Sequence, residues 1–276
     1  MTSLPSRRRS RTLVLKVLLG GAMVACARQP APTPAPPAPS PARGFVPASG
    51  ADIVRAMHDR YASTWYTSLS FSQTTTITLP SGAKLVQKWI EAGKIPGRLR
   101  IETDSLRQGG VLYAGDSVFQ FAGGRLVRAD TGMNDLLILG FDVYGQPVER
   151  TLAILRKRGF DVSAFSRTSW EGRPAYVVGA RMGDTTSKQF WVDAERMLFV
   201  RLLDTRKTAN GTRRDDIRFL KYVPHAGGWV AEEVMMFRDG KPSLHEEYAN
   251  VRVNVPLDDA MFDATQWSKV GQWYRP

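Results

Sequence analysis

Histidine, cysteine and acidic side chains do much of protein chemistry, and this chain has few of the first two. Its three histidines, His58, His225 and His245, are far apart in the sequence and do not show the spacing of metal ligands. The one cysteine, Cys26, has no second cysteine with which to form a disulfide within the chain. The sequence therefore indicates neither a histidine-rich metal site nor a disulfide.

Two acidic motifs were candidates for catalysis or metal binding. His245–Glu247 lies on a predicted strand, where successive side chains point to opposite faces, so it does not imitate a helical zinc motif. Asp258–Asp259 is typical of a turn. The chain has no nucleophile elbow, phosphate-binding loop or dinucleotide fingerprint. We therefore predict no enzyme, no cofactor and no metal, although catalytic residues scattered through a chain would leave no such pattern.

The N-terminal segment has the order of a secretory signal. A basic region, Arg7–Arg11, precedes a mostly apolar stretch, Leu13–Ala25, which is too short to span a bilayer. The small Ala25 before Cys26 resembles a bacterial lipobox, and that resemblance implies that Cys26 is diacylated and becomes the mature N-terminus. We expect residues 1–25 to be a lipoprotein signal peptide. The alternative is an ordinary cleaved signal followed by an incidental cysteine.

Residues 26–48 combine this cysteine with a proline-rich segment. From Pro30 to Pro41, proline alternates mainly with alanine. Such a segment cannot build a packed core and favours the extended polyproline II conformation, at about 3.1 Å per residue. We expect it to be a tether that holds a domain away from a membrane. A recognition site for proline-binding proteins is the alternative.

The composition is that of a basic globular protein. The chain has 276 residues, 43% of them hydrophobic, and a net charge of +12, which is enough apolar content for a core. Five basic residues lie in the predicted signal, so the mature chain would keep +7 of the +12. This surplus suits an anionic membrane surface or acidic lipid headgroups. No basic stretch is interleaved with aromatic residues as in a known nucleic-acid module, so we expect no nucleic acid partner.

Residues 67–127 have the pattern of antiparallel strands joined by tight turns. The residues on one face of the first strand are Leu69, Phe71, Gln73, Thr75, Ile77 and Leu79. A turn at Pro80–Gly82 leads to a return strand centred on Trp89. In Arg98–Glu102, charged residues alternate with Leu99 and Ile101. We expect these two aliphatic residues to point inward and the charged residues to point outward, where substitutions should do little.

Three helices are predicted around these strands. The first has Ser49 or Asp52 as its cap. Asn134–Phe141 is strongly apolar, and Pro147–Lys157 is amphipathic. The last two form either a packed cap on the sheet or a movable lid over an apolar cavity.

Strands alternate with turns again from Phe165 to Val255, and Pro256–Phe262 closes the domain. Strands at this spacing on both sides of a helical insert favour one curled sheet or barrel over two domains. We expect a mainly β (α+β) fold, a half-open antiparallel β-barrel or strongly curled sheet with a helical lid. It would occupy residues 49–265, followed by a C-terminal tail at 266–276.

Residues from about Asp52 to Phe262 resemble the bacterial lipoprotein-carrier superfamily, which includes LolA- and LolB-like lipoprotein-sorting proteins. The motifs that carry the resemblance are Ile95–Arg100, Tyr113–Phe121, Trp191–Asp193 followed by Val200–Arg201, and Asn254–Asp259 with Phe262. Two features depart from the pattern: the usual Asp-Gly order becomes Gly115-Asp116, and the proline-alanine tether is unlike soluble carriers. The resemblance implies a half-open barrel around a helix, with an apolar cavity for acyl chains.

A lipid tail needs a dry cavity and no catalytic group. The residues expected to line that cavity are Trp89, Leu99, Ile101, Phe119, Phe121, Leu136, Ile138 and Trp191. The alternative is that these side chains form a solid core.

Two functions follow from this interpretation. The first is a membrane-anchored envelope lipoprotein that binds the acyl chains of lipids or lipoproteins and acts in their transport or sorting. The alternative is an envelope sensor or assembly protein that uses the same fold for contact with a protein partner. In both, the domain would face the periplasm, with the outer membrane favoured as the site of the Cys26 anchor.

Overall fold

The computed structural model of the chain describes residues 45–103, 109–209 and 211–270. The predicted signal, Cys26 and most of the predicted tether lie outside these residues. Everything described below belongs to one unit of the chain.

Thirteen strands of the described residues form one sheet in which every neighbouring pair is antiparallel. The first six are β1 (Ser68–Thr78), β2 (Lys84–Lys94), β3 (Arg98–Glu102), β4 (Gly110–Ala114), β5 (Ser117–Ala122) and β6 (Arg125–Thr131). The other seven are β7 (Phe165–Trp170), β8 (Arg173–Val178), β9 (Gln189–Asp193), β10 (Leu198–Thr208), β11 (Gly211–His225), β12 (Gly228–Arg238) and β13 (Lys241–Val253).

The sheet consists of two meanders that meet at its centre. Its order is β6-β5-β4-β3-β2-β1-β13-β12-β11-β10-β9-β8-β7, so β6 and β7 are its edges. The first and last strands are neighbours, with Leu69 opposite Val253 and Ile77 opposite Leu244. The predicted curled sheet is therefore correct, and it is not closed through its edge strands.

The predicted alternation of β1 is confirmed over most of the strand. Phe71, Gln73 and Thr75 are buried, whereas the residues between them are half-buried. Leu79 is the exception, because β1 ends at Thr78 and Leu79 enters the turn, where it is 43% exposed.

The helices are α1 (Gly50–Tyr61), α2 (Asp135–Gly140) and α3 (Val148–Lys157), and a short 3-10 helix, Asp142–Tyr144, lies between the last two. Ser49 caps α1: its Oγ accepts a hydrogen bond from Asp52 N, and the Asp52 carboxylate accepts one from Ser49 N, forming a capping box. No helix among the described residues has the length and apolar content that a membrane crossing requires.

The main core lies between this helical layer and one sheet face, which we call the inner face. Residues of α1 at helical spacing, Ile53, Met57 and Tyr61, point into it. Trp65 packs against the rings of Tyr61 and Tyr144, with centroid distances of 5.1 and 4.0 Å. The Tyr144 hydroxyl accepts a hydrogen bond of 2.9 Å from Phe199 N on β10, which ties the helical layer to the sheet.

A second, smaller core covers part of the opposite, outer face of the sheet. Two 3-10 helices, Asp259–Phe262 and Ala264–Gln266, lie across β2 to β5 there. The buried residues of this core are Ala92, Leu112, Phe121, Met261, Phe262 and Trp267. The charged residues of β3 therefore point away from the inner face, as predicted, but Arg100 and Glu102 are buried under this second core, at 1% and 2% exposure. Whether substitutions there leave ligand binding unchanged stays a prediction.

Candidate functional site

A cavity of about 200 Å³ lies on the inner face of the sheet, beneath α2. Its sheet side comes from both meanders. The lining residues from the strands are Leu69, Phe71, Trp89, Glu91, Leu99, Ile101, Phe219, Val234, Met236, Leu244, Glu246 and Tyr248. Those from α2 and the residues next to it are Asn134, Leu136, Leu137 and Phe141. Most of this surface is apolar, and two carboxyl groups interrupt it.

The strand register brings the lining residues together. On β2, Glu91 lies opposite Phe71 of β1 and opposite Ile101 of β3. Gly93 lies opposite both Leu69 and Leu99. A Cβ at Gly93 would be only 2.7 Å from Leu69 Cδ2, so the absence of a side chain leaves the space that the Leu69 side chain occupies.

Helix α2 forms the roof of the cavity. Asn134 begins it, since its Oδ1 accepts a hydrogen bond of 2.9 Å from Leu136 N. Gly140 lets the helix lie close to the sheet, because a Cβ there would be 2.7 Å from Phe219 Cε2. Polar contacts hold the start of the helix: Asp135 pairs with Arg158 at 2.6 Å and with Lys188 at 2.7 Å.

The two carboxyl groups of the cavity lie on either side of β1. Burial raises the pKa of Glu91 well above its ordinary value, and the negative charge of Glu246 raises it further. Burial also raises the pKa of Glu246 to about 7, against the opposing effect of a hydrogen bond from the Tyr248 hydroxyl. At neutral pH the pair therefore holds protons that two exposed glutamates would have lost.

Four of the eight residues predicted to line an apolar cavity do so. Trp89, Leu99, Ile101 and Leu136 come together around it from β2, β3 and α2. Leu99 and Ile101 lie on the inner face of β3, as their alternation with charged residues predicted. Whether these side chains contact a ligand stays a prediction.

Phe119 and Phe121 lie on the other side of the sheet. Phe119 is opposite Leu112, and Leu112 is opposite Arg100, so these residues share the outer face. Phe121 stacks on Trp267 there, with ring centroids 4.1 Å apart. Their placement in the cavity was wrong because alternation along one strand does not say which face is inward.

Ile138 and Trp191 are also outside the cavity lining. Ile138 is 1% exposed and packs in the main core, on the side of α2 away from the lining residues Leu136 and Leu137. Trp191 lies opposite Arg201 on the outer face, and the guanidinium of Arg201 is 4.6 Å from its ring centroid. Its neighbours on β9, Phe190 and Val192, take the inner face instead.

Several lining residues were not predicted from the sequence, above all Glu91, Glu246 and Tyr248. Glu91 lies two residues after Trp89 on β2 and therefore on the same face of the strand, and this spacing could have identified it from the sequence. Glu246 and Tyr248 were hidden because they belong to β13, whose pairing with β1 joins distant parts of the sequence.

The remaining candidates for chemistry do not come together. His245 lies 2.8 Å from Glu233, and His225 lies 3.2 Å from Glu232. Across residues 45–103, 109–209 and 211–270, no three histidine, cysteine or acidic side chains are grouped as metal ligands. Asp258 caps the 3-10 helix Asp259–Phe262, which agrees with its prediction as a turn residue. Cys26 lies outside the described residues, and its lipidation stays a prediction.

Comparison with known proteins gives structural relatives only. No family model matches the chain, and no curated protein matches it. A DUF1329 family protein from Desulfovibrio piger aligns with a TM-score of 0.53 and 14% identity, over 79% of this chain and 97% of that one. An outer membrane lipoprotein-sorting protein domain from Vibrio parahaemolyticus aligns with a TM-score of 0.50 and 12% identity, over 80% of this chain and 98% of that one.

A LolA superfamily protein from Nitrosomonas europaea aligns more weakly, with a TM-score of 0.47 and 12% identity, over 76% of this chain and 97% of that one. At such identities the first two establish the fold and leave the activity open. The predicted architecture is confirmed: the chain shares the fold of the first two structures, an open curled sheet with a helical lid.

Proposed function

We propose that this protein is a membrane-anchored lipoprotein of the cell envelope that binds acyl chains of lipids or lipoproteins beneath α2. The proposal places it in lipid or lipoprotein transport or sorting, on the periplasmic side of the outer membrane. The observation that carries it is the cavity of about 200 Å³ with mainly apolar walls, enclosed between the sheet and a short helix.

The energetics of the cavity favour an alkyl ligand. Each methylene group that moves from water into an apolar site gains about 0.8 kcal/mol. A dry cavity of about 150 Å³ is enough for a molecule of the size of benzene. A site of about 200 Å³ would therefore hold only a short part of a long acyl chain, since pockets for larger ligands have about 300–1,000 Å³.

A longer chain requires the roof to move, and α2 is suited to that. It has only six residues. The ion pairs of Asp135 hold its first turn, so the remaining turn is the part that would move away from the sheet. Displacement of Leu136 and Leu137 from the sheet would lengthen the cavity, and the acyl chain would replace the apolar contacts that these side chains lose. The proposed lid therefore exchanges one set of apolar contacts for another.

The test is binding of fluorescent fatty-acyl probes of graded length to the folded domain, together with native mass spectrometry of the detergent-extracted full chain. We expect saturable binding that becomes tighter with chain length, a co-purified lipid, and a diacyl modification on Cys26. If the folded protein takes up no probe of any length and carries no lipid, the carrier proposal is wrong.

A second candidate is a sensor or assembly protein that uses its outer face for contact with an envelope protein. On that face, Arg201 lies against the rings of Trp170 and Trp191, and Arg218 lies 4.3 Å from the ring centroid of Phe237. Tryptophan and arginine are enriched at the centres of protein interfaces. A cavity that binds no lipid, together with loss of partner binding in Trp170→Ala, would favour this candidate.

A further inference from the structure

The cavity contains a group of hydrogen-bond acceptors that an alkyl chain cannot satisfy. Glu91 on β2 and Glu246 on β13 are each 7% exposed, and both line the cavity. Between them on β1 lies Gln73, which is 1% exposed and has the lining residues Trp89 and Tyr248 as its cross-strand neighbours. Gln73 itself does not line the cavity, so the acceptors that face the cavity are the two carboxyl groups.

Few donors reach these acceptors. Glu246 Oε2 accepts a hydrogen bond of 3.2 Å from the Tyr248 hydroxyl, and a hydrogen bond from the Gln73 side chain also lowers the pKa of Glu246. Gln73 Nε2 donates to Thr75 Oγ1 at 2.9 Å. Gln73 Oε1 is buried without a hydrogen-bond partner. Among the described residues, no side chain or backbone group donates a hydrogen bond to the Glu91 carboxyl or forms an ion pair with it.

This arrangement is costly unless something else completes it. A buried polar group without a partner costs about 1–3 kcal/mol, and more if it is charged. Two neighbouring carboxyl groups also oppose each other's ionisation. A cavity that had only to hold an acyl chain would gain from apolar residues at these positions. The missing partner is therefore a donor, and a positively charged one would relieve both costs.

A primary ammonium group has the matching chemistry. It carries three donors and one positive charge on a compact atom. The carboxyl groups of Glu91 and Glu246 offer acceptor oxygens in the cavity and up to two negative charges. A hydroxyl group has only one donor and no charge, and a carboxylate or phosphate would be repelled by the two glutamates.

We propose that the cavity selects long-chain primary amines, with the ammonium group bound at the Glu91 carboxyl, the negative charge of Glu246 adding to the attraction, and the alkyl chain along the apolar wall. This inference rests on the proposed function and narrows its ligand class. It distinguishes a simple alkylamine from a phosphoethanolamine headgroup, because the phosphate of the latter would lie beside the two carboxyl groups.

Binding of the cation should expel protons from the pair. The titratable groups around the two glutamates are Tyr248 and His245 on β13 and Tyr113 on β4. The pKa values of Glu91 and Glu246 are raised in this environment, because burial has the largest effect. A bound ammonium favours the ionised carboxylates. Proton release on binding is therefore a signature that purely apolar binding lacks.

The experiment is isothermal titration calorimetry of the folded protein below the critical micelle concentration of each probe. The probes are dodecylamine, dodecanol, dodecanoate and dodecyl phosphoethanolamine, and the proteins are wild type, Glu91→Gln, Glu246→Gln and the control Glu149→Gln. Glu149 is an exposed carboxylate on α3 that does not line the cavity. Repetition near pH 7, in buffers of different ionisation enthalpy, measures proton release.

We expect wild type and Glu149→Gln to bind dodecylamine about tenfold or more tightly than the other three probes, with proton release. Each cavity variant should lose most of this preference and keep its affinity for dodecanol. Equal binding of amine and alcohol by the wild type, or an unchanged preference in both cavity variants, would overturn the inference and leave the carrier function standing. Absence of binding for all four probes would instead refute the carrier function itself.

Discussion

Arg100 and Trp267 join the sheet to the segment that follows it in the chain. The guanidinium carbon of Arg100 lies 4.0 Å from the ring centroid of Trp267, and Arg100 Nη2 donates a hydrogen bond of 2.8 Å to the Trp267 carbonyl. Arg100 Nε also pairs with Glu102 at 2.5 Å. The Arg100 side of this buried charge pair is therefore held by an aromatic face and a backbone oxygen from outside the sheet.

Trp267→Ala should destabilise the protein by about 3–5 kcal/mol, because it removes a fully buried ring and uncovers Arg100. Urea unfolding followed by circular dichroism measures the change. The half-buried Trp170 on the outer face is the matched control, and Trp170→Ala should cost clearly less. Equal losses for the two variants would mean that the C-terminal segment does not stabilise the sheet.

Isosteric substitution of two buried glutamates should have opposite effects at about pH 8. Glu102→Gln removes a charge that Arg100 needs, so we expect a loss of about 1–3 kcal/mol. Glu91→Gln removes a carboxyl group that has no partner among the described residues and whose pKa is raised by burial, so we expect a gain in stability.

The raised pKa values of Glu91 and Glu246 make the free energy of unfolding depend on pH. Folded Glu246 keeps its proton until about pH 7, whereas the unfolded group loses it near pH 4.5. The folded state binds more protons in that window, so the free energy of unfolding should fall as the pH rises from about 5 to 8. Asp142, with its pKa raised by burial to about 7, acts in the same direction.

Urea midpoints at several pH values test this dependence, and Glu246→Gln should reduce it. The aspartates with lowered pKa values, such as Asp193 and Asp216, stabilise the fold above their unfolded value of 3.8, and that stability is lost only below it. A stability that rises from pH 5 to pH 8 would contradict the raised pKa values of the cavity pair.

Asp135→Asn should loosen the roof of the cavity. The substitution removes the charge that pairs with Arg158 and Lys188, so the amides of α2 should exchange hydrogen roughly tenfold faster. Hydrogen exchange with mass spectrometry measures this over Asp135–Gly140. The control is Glu149→Gln, which breaks an exposed pair with Arg55 and should change little. Unchanged exchange in Asp135→Asn would favour a fixed structural cap.

Leu99→Trp and Ile101→Trp should fill the cavity without adding charge. We expect both to weaken binding of long acyl probes more than short ones, since less of a long chain can then enter. A graded series of fluorescent probes measures the effect, and Leu85→Trp at an exposed position of β2 is the control. If the three variants behave alike, the cavity beneath α2 is not the binding site.

Cys26→Ser should release the protein from the membrane fraction without unfolding the domain, because Cys26 is the predicted site of the lipid anchor. Fractionation followed by salt extraction tests the release, and circular dichroism checks the fold. A variant that still sediments with membranes and resists salt would show that the anchor is not at this residue.

Local sequence patterns predicted most of the fold. Which residues line the cavity depends on strand pairing between distant parts of the sequence. The alternation in β1 and the Ser49 cap follow from residues close together in the sequence, and the structure confirms them. Residues close together in the sequence do not determine which face of β5 points inward. That face is set by the register of β5 with β4 and of β4 with β3. Alternation alone could not tell that Phe119 faces outward, and nothing local could place Glu246 beside β1.

The pairing of β1 with β13 also determines when the cavity can exist. Almost the whole described chain separates Leu69 from its partner Val253, so closing this seam carries a high entropic cost and is slow. Until β13 pairs with β1, the part of the cavity wall that β12 and β13 supply is missing, and Leu69, Phe71 and Leu99 lack those neighbours. An unfinished sheet leaves apolar side chains and an unpaired strand edge open to other chains. A chain of this topology is therefore most prone to association before this seam closes.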